Sequence, residues 1–127
     1  MDWSIELLFI PVSDVDRAKS FYVDQLGWHA DHDKQVNEQL RFVQVTPPGS
    51  GCSIAFGTGV TQMTPGTQRG VQVVIADADA ARKHLLDHGV PASEVDEQPW
   101  GRFVTFDDPD GNGWILQQLP ARNAPAP

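Results

Sequence analysis

The chain has 127 residues, 40% hydrophobic and 20% charged, enough apolar material for one domain with a core and too little length for two large ones. Its formal net charge of -8 excludes the concentrated basic surface that nucleic acid or an anionic membrane requires. A single cysteine, Cys52, excludes an intrachain disulfide and a paired-cysteine zinc site.

The N-terminal stretch carries Asp2, Glu6 and Asp14 in place of a basic start and a long apolar run, so neither a signal peptide nor a membrane span is expected and the expected setting is cytoplasmic. Ile5 to Val12, ended by Pro11, predicts a buried strand. Helix onset follows. Ser13 and Asp14 are N-cap residues, Asp16 sits in the first turn, Gly27 supplies the stop, and Val15, Ala18, Tyr22 and Leu26 form one apolar stripe. Trp28 to Asp33 predicts a short edge strand whose charges discourage edge pairing. Arg41 to Thr46 and Cys52 to Phe56, joined through Pro47-Pro48-Gly49-Ser50-Gly51, predict a hairpin. Gly57 to Arg69, with its Gly, Pro, Thr and Gln residues, reads as a linker.

An internal repeat follows the linker. Asp77 aligns with Asp14 at an offset of 63, bringing Asp79 onto Asp16 and Ala81 onto Ala18. Farther on, Arg102-Phe103-Val104 aligns with Arg41-Phe42-Val43 at an offset of 61, with Ile115 on Ile54. The second half is therefore expected to repeat the first: a strand over Val71 to Ala76, a helix from about Asp79 to His88, a weak strand near Ser93 to Asp96, and a hairpin. That hairpin turns at Asp107-Asp108-Pro109-Asp110-Gly111-Asn112-Gly113, where the Asp, Asn, Pro and Gly residues read as turn chemistry. The expected organisation is one domain over 1–120, with module one at about 4–57, a linker at 58–69, module two at about 70–119, and a tail at 121–127.

Ile10-Pro11-Val12-Ser13-Asp14 near the start, the repeat, and Asp108-Pro109-Asp110-Gly111-Asn112 near the end together resemble the vicinal oxygen chelate superfamily, which includes glyoxalases, bleomycin-resistance proteins and extradiol dioxygenases. The resemblance implies an α+β fold, in which two tandem βαβββ modules form a curved, half-open mixed sheet around a cavity. It also implies a homodimer. Many members hold a divalent metal through a residue seven before the Asp of each helix and one four after the Gly of the final turn. Here those positions are Leu7, Gly70 and Ile115, with Ile54 as the first-module counterpart of Ile115. None can donate to a metal, so neither a metal nor another cofactor is expected.

By strand alternation the same faces hold Phe9, Gln72 and Gln117, and the repeat adds Phe56. Gln44, Trp100 and Phe103 are further candidates. These residues describe an apolar and aromatic wall with a few amides, suited to an aromatic or amphiphilic small molecule. The alternative for each is that the aromatics fill the core and the Gln side chains are satisfied by backbone. His84 and His88 are expected at a solvated helix end, His29 and His32 on the surface, and Cys52 as a packed thiol. The expected function is metal-independent capture of a small organic molecule. The alternative is a glyoxalase-like lyase, isomerase or dioxygenase with unconventional metal ligands or a metal-free carboxylate, for which Glu6 and Glu38 are the acidic residues nearest the expected strands.

Overall fold

The computed structural model describes residues 1–121. Apart from Ala121, the expected tail lies outside the described residues. The elements run β1 (Leu7–Phe9), α1 (Val15–Lys19), a π-helical continuation (Ser20–Gln25), β2 (His29–Asn37), β3 (Leu40–Thr46), β4 (Ser53–Thr58), β5 (Arg69–Val74), α2 (Ala78–Asp87), β6 (Asp96–Gln98), β7 (Gly101–Asp107) and β8 (Gly113–Gln118). They form two open four-stranded sheets of identical connectivity, β1-β4-β3-β2 and β5-β8-β7-β6. In each, the first strand runs parallel to the last and the other neighbours are antiparallel. This is the α+β pair of βαβββ modules that the repeat implies.

The repeated residues build repeated local structure. Asp14 caps α1 by accepting from the Arg17 amide at 3.0 Å, and Asp77 caps α2 by accepting from the Ala80 amide at 3.1 Å. Each carboxylate satisfies one amide that the first helical turn leaves without a partner. Two residues further into the turn, Asp16 meets Arg41 of β3 at 2.8 Å, and Asp79 meets Arg102 of β7 at 2.9 Å. The aligned Arg and Asp pairs therefore tie helix to sheet in both modules.

The first helix departs from the expected regular stripe. Over Ser20–Gln25 it widens to a π-helix, and the Leu26 amide reaches back to Phe21 O at 3.0 Å. The added residue per turn turns Phe21 inward beside Tyr22, so both are buried. Phe21 then packs against Phe106 of the second sheet. Tyr22 lies between Phe56 of the first sheet and Trp114 of the second, with ring centroids 5.6 and 5.8 Å away.

One core results, built from the helix-facing sides of both sheets. Val43, Val45, Ile54 and Phe56 enter it from the first, and Val104, Phe106, Trp114 and Leu116 from the second. The final turn closes it. Asp108 and Asn112 are buried, which corrects the reading of these acidic and amide residues as turn chemistry alone. Tyr22 Oη donates to Asp108 Oδ2 at 2.7 Å, Trp114 Nε1 donates to Tyr22 Oη at 3.0 Å, and Asn112 Nδ2 donates to Asp108 Oδ2 and to Pro11 O. Burial first, then the neighbouring Asp108 charge, holds the Tyr22 phenol protonated far above its usual range.

Strand lengths also differ from expectation. β2 extends to Asn37 because it pairs with β3 along a hairpin interrupted by two irregularities, leaving its charged residues at an exposed edge. β1 shrinks to the three residues that pair with β4. β6 lies at Asp96–Gln98, opposite Gly101 to Phe103, and not over Ser93 to Asp96.

Candidate ligand-binding site

Strand pairing assigns each expected site residue to a face. On β3 and β4, Val43 pairs with Phe56 and Val45 with Ile54; on β7 and β8, Val104 pairs with Leu116 and Phe106 with Trp114. Superposing Val43 on Val104 places Phe56 on Leu116 and Ile54 on Trp114, an offset of 60. The offset of 61 that paired Ile54 with Ile115 is therefore corrected by one residue. A one-residue slip reverses every side chain along a strand. Phe56 turns into the core against Tyr22, and the first-module counterpart of Ile115 is Ala55.

The faces turned away from the helices carry the remaining candidates. Leu7, Phe9 and Gln44 share that face of the first sheet, and Gln72, Phe103, Ile115 and Gln117 share that of the second. Trp100, half exposed in the turn before β7, adjoins them. On the second sheet the amides form a chain, with Gln72 Nε2 donating to Gln117 Oε1 at 2.7 Å and Gln117 Nε2 donating to Trp100 O at 3.1 Å.

Leu7, Ala55, Gly70 and Ile115, at the positions that the resemblance marks for metal donors, offer only hydrocarbon or hydrogen. Among the described residues no three His, Cys, Asp or Glu side chains are grouped to hold a metal ion. His84 and His88 lie with ring centroids 4.3 Å apart at the end of α2, and the His88 ring contacts His84 O at 2.7 Å.

A cleft of about 330 Å³ opens at the seam between the two modules. Leu8 and Ile54 form its wall on the first module, Val71, Val73 and Trp114 its wall on the second, and the turn Pro47 to Ser50 its rim. A second hollow of about 300 Å³ adjoins it through Pro47, Pro48, Val73 and Val74 and is walled by Trp28, Leu85 and Leu116. Of the expected residues, the cleft brings together Ile54 and Gln72, one from each module. Their convergence depends on the packing of the modules, because 18 residues separate them in sequence.

Sequence reasoning missed the polar side of this cleft. Ser53 is buried, and its hydroxyl lies 2.6 Å from the Thr46 hydroxyl, which in turn donates to Asp31. Ser50 binds the backbone of Cys52 in both directions, and burial, with nearby Glu6, pushes the Cys52 thiol up from its usual pKa. The available signal was the run from Pro47 to Ser53, where small hydroxyl residues follow the turn.

The model of the Glyoxalase/Bleomycin resistance protein/Dioxygenase superfamily matches residues 4–116. Among solved structures, the chain is 34% identical to TnmS3, an antibiotic binding protein from Streptomyces sp. CB03234, covering 94% of this chain and 98% of that one with a TM-score of 0.85. It is 37% identical to a glyoxalase/bleomycin resistance protein from the same source, covering 91% and 100% with a TM-score of 0.80. It is also 25% identical to the uncharacterized protein YetH of Bacillus subtilis (strain 168), over 84% of this chain and 91% of YetH.

Proposed function

The chain belongs to the Glyoxalase/Bleomycin resistance protein/Dioxygenase superfamily, and from that premise we propose that it captures a small aromatic or amphiphilic molecule, of the kind an antibiotic presents, without using a metal. The observation that carries this reading is that Leu7, Ala55, Gly70 and Ile115 stand at the donor positions, in a chain whose two modules enclose, elsewhere along their seam, an apolar cleft of about 330 Å³. That volume lies in the range of small-molecule sites, about 300 to 1,000 Å³. The likeness to an antibiotic binding protein at 34% identity supports the same choice. Capture requires burial of apolar surface and a few directed hydrogen bonds, and no reacting group.

Titration of the chelator-treated protein with a panel of aromatic and amphiphilic antibiotics is expected to give saturable binding in the micromolar range, read by tryptophan fluorescence, since Trp114 lines the cleft and Trp28 its neighbour. Absence of saturable binding across the panel, or binding that appears only on adding divalent metal, would overturn the proposal.

The proposal includes a homodimer. Trp3, Ile5 and Val74 are exposed at 85%, 70% and 58%, apolar area that association would remove from water. Light scattering is expected to give twice the chain mass, and a monomer at every working concentration would dispose of the dimer.

A further inference from the structure

Beside Gly70 and Ile115, where the resemblance marks metal donors, the second module places a guanidinium. Gly70 makes this possible. At φ +87° it lies in the left-handed region that favours glycine, inside an irregularity between Arg69, which pairs with Gly113, and Val71, which pairs with Trp114. Two steps along β5 therefore match one along β8. Arg69 leaves the core-facing side that Val71 and Val73 occupy and joins the face turned away from the helices. Strand pairing puts Gly113, Ile115, Thr105 and Asp107 on that same face. Arg69, Gly70, Thr105, Asp107, Gly113 and Ile115 line a depression of about 340 Å³ there.

Gly113 gives the Arg69 side chain its place. A Cβ at that position would lie 3.3 Å from Arg69 Cζ and Nη2. Arg69 Nη1 donates to Gly111 O, the one hydrogen bond of this guanidinium among the described residues. Asp107 stands 3.5 Å from Nη2 with both side chains more than half exposed, and an exposed pair of this kind contributes little. The Thr105 hydroxyl, on the residue opposite Ile115, has no hydrogen-bond partner among the described residues. Arg102 of β7 turns the other way, to Asp79 of α2. Arg69 is therefore the cation on this face of the second sheet among the described residues.

We propose that this depression binds the carboxylate of a small aromatic acid, with Arg69 and the Thr105 hydroxyl donating to its oxygens and Ile115 against the ring. The positive charge that the resemblance assigns to a metal is carried here by a side chain. A guanidinium presents its N–H donors in one plane, which matches a carboxylate. Ile115 lies two residues along β8 from Gly113, about 7 Å, the reach of a bicyclic ring from its carboxylate. Asp107 is the competitor, since its own carboxylate stands beside the guanidinium until a ligand displaces it. The site is separate from the seam cleft, which none of Arg69, Thr105 and Asp107 lines, so the inference goes beyond the capture reading and does not depend on it.

The test is isothermal titration of the chain with 2-naphthoate and with its uncharged methyl ester, repeated on Arg69→Gln and Asp107→Asn. The unaltered chain is expected to bind the acid about tenfold or more tightly than the ester, the worth of one hydrogen bond to a charged group. Arg69→Gln is expected to remove that preference. Asp107→Asn is expected to enlarge it by freeing the guanidinium, and it decides the matter alone if Arg69→Gln does not fold. Affinity for the ester is expected to stay the same in both variants. Equal affinity for acid and ester in the unaltered chain overturns the anion class. A preference that survives Arg69→Gln, or that Asp107→Asn leaves unchanged, overturns the placement at Arg69. Absence of naphthoate binding at millimolar concentration overturns the site and leaves capture at the seam standing, while a silent antibiotic panel with naphthoate bound overturns capture and leaves this site standing.

Discussion

Tyr22 shows how much one side chain contributes when its partners come from distant parts of the chain. Its hydroxyl donates to Asp108, 86 residues away, and accepts from Trp114, 92 residues away. Tyr22→Phe removes one atom and leaves the Trp114 indole N–H buried with no partner among the described residues, while Asp108 retains its other donors. The expected loss is about 1–3 kcal/mol of unfolding free energy, measured by urea denaturation with an unchanged slope. An unaltered midpoint would mean that water replaces the hydroxyl. The spacing of Tyr22 on a helical stripe was legible in sequence as burial. Its bond to Asp108 was not, because an Asp in a Pro-Asp-Gly turn has a sufficient local explanation and only the packed second module buries it.

The elements owe their placement to charged pairs as well as apolar faces. Asp33 of β2 accepts from Arg41 of β3 and from Lys19 of α1, at 2.9 Å each, so it links the helix to the edge hairpin. Hydrogen bonds from Arg41, then from Lys19, hold its carboxyl well below the usual carboxylate range. A pKa depressed on folding stabilises the folded state above the unfolded value, near 3.9, and that contribution disappears as pH falls toward the folded value. Asp33→Asn is therefore expected to cost about 1 kcal/mol at neutral pH, with the difference from the unaltered chain shrinking below about pH 4. Chemical denaturation across a pH series checks this, and a difference constant with pH would mean that the loss is not electrostatic. At this scale the repeat was legible because capping and ion-pairing residues recur at fixed offsets. The register of the last strand was not. Six residues join β3 to β4 and five join β7 to β8, and that single deletion, hidden among turn residues, decides which face Ile54 and Phe56 occupy.

Across the whole molecule, the core passes through both modules. Phe21 and Tyr22 of the first module lie against Phe106 and Trp114 of the second, and the Asn112 amide bonds Pro11 O. Each module alone is too small to bury a sufficient core, so the two are expected to unfold together. Far-ultraviolet circular dichroism and tryptophan fluorescence should report one coincident transition. Separate midpoints for the two probes would show that the modules are independent. The seam cleft follows from the same packing, since its two walls belong to different modules.

The sequence by itself determined the architecture: two capped helices, strands bounded by turns, and a repeated order that implies paired modules, together with the absence of donors at the expected metal positions. These are local properties, carried by backbone preference, capping and periodicity within a few residues. Only the tertiary structure decided that Asp108 is buried, that Phe56 faces the core, and that Ile54 and Trp114, from different modules, line one cleft. Each depends on which distant part of the chain the packing of the two modules brings within reach, and no local preference encodes that.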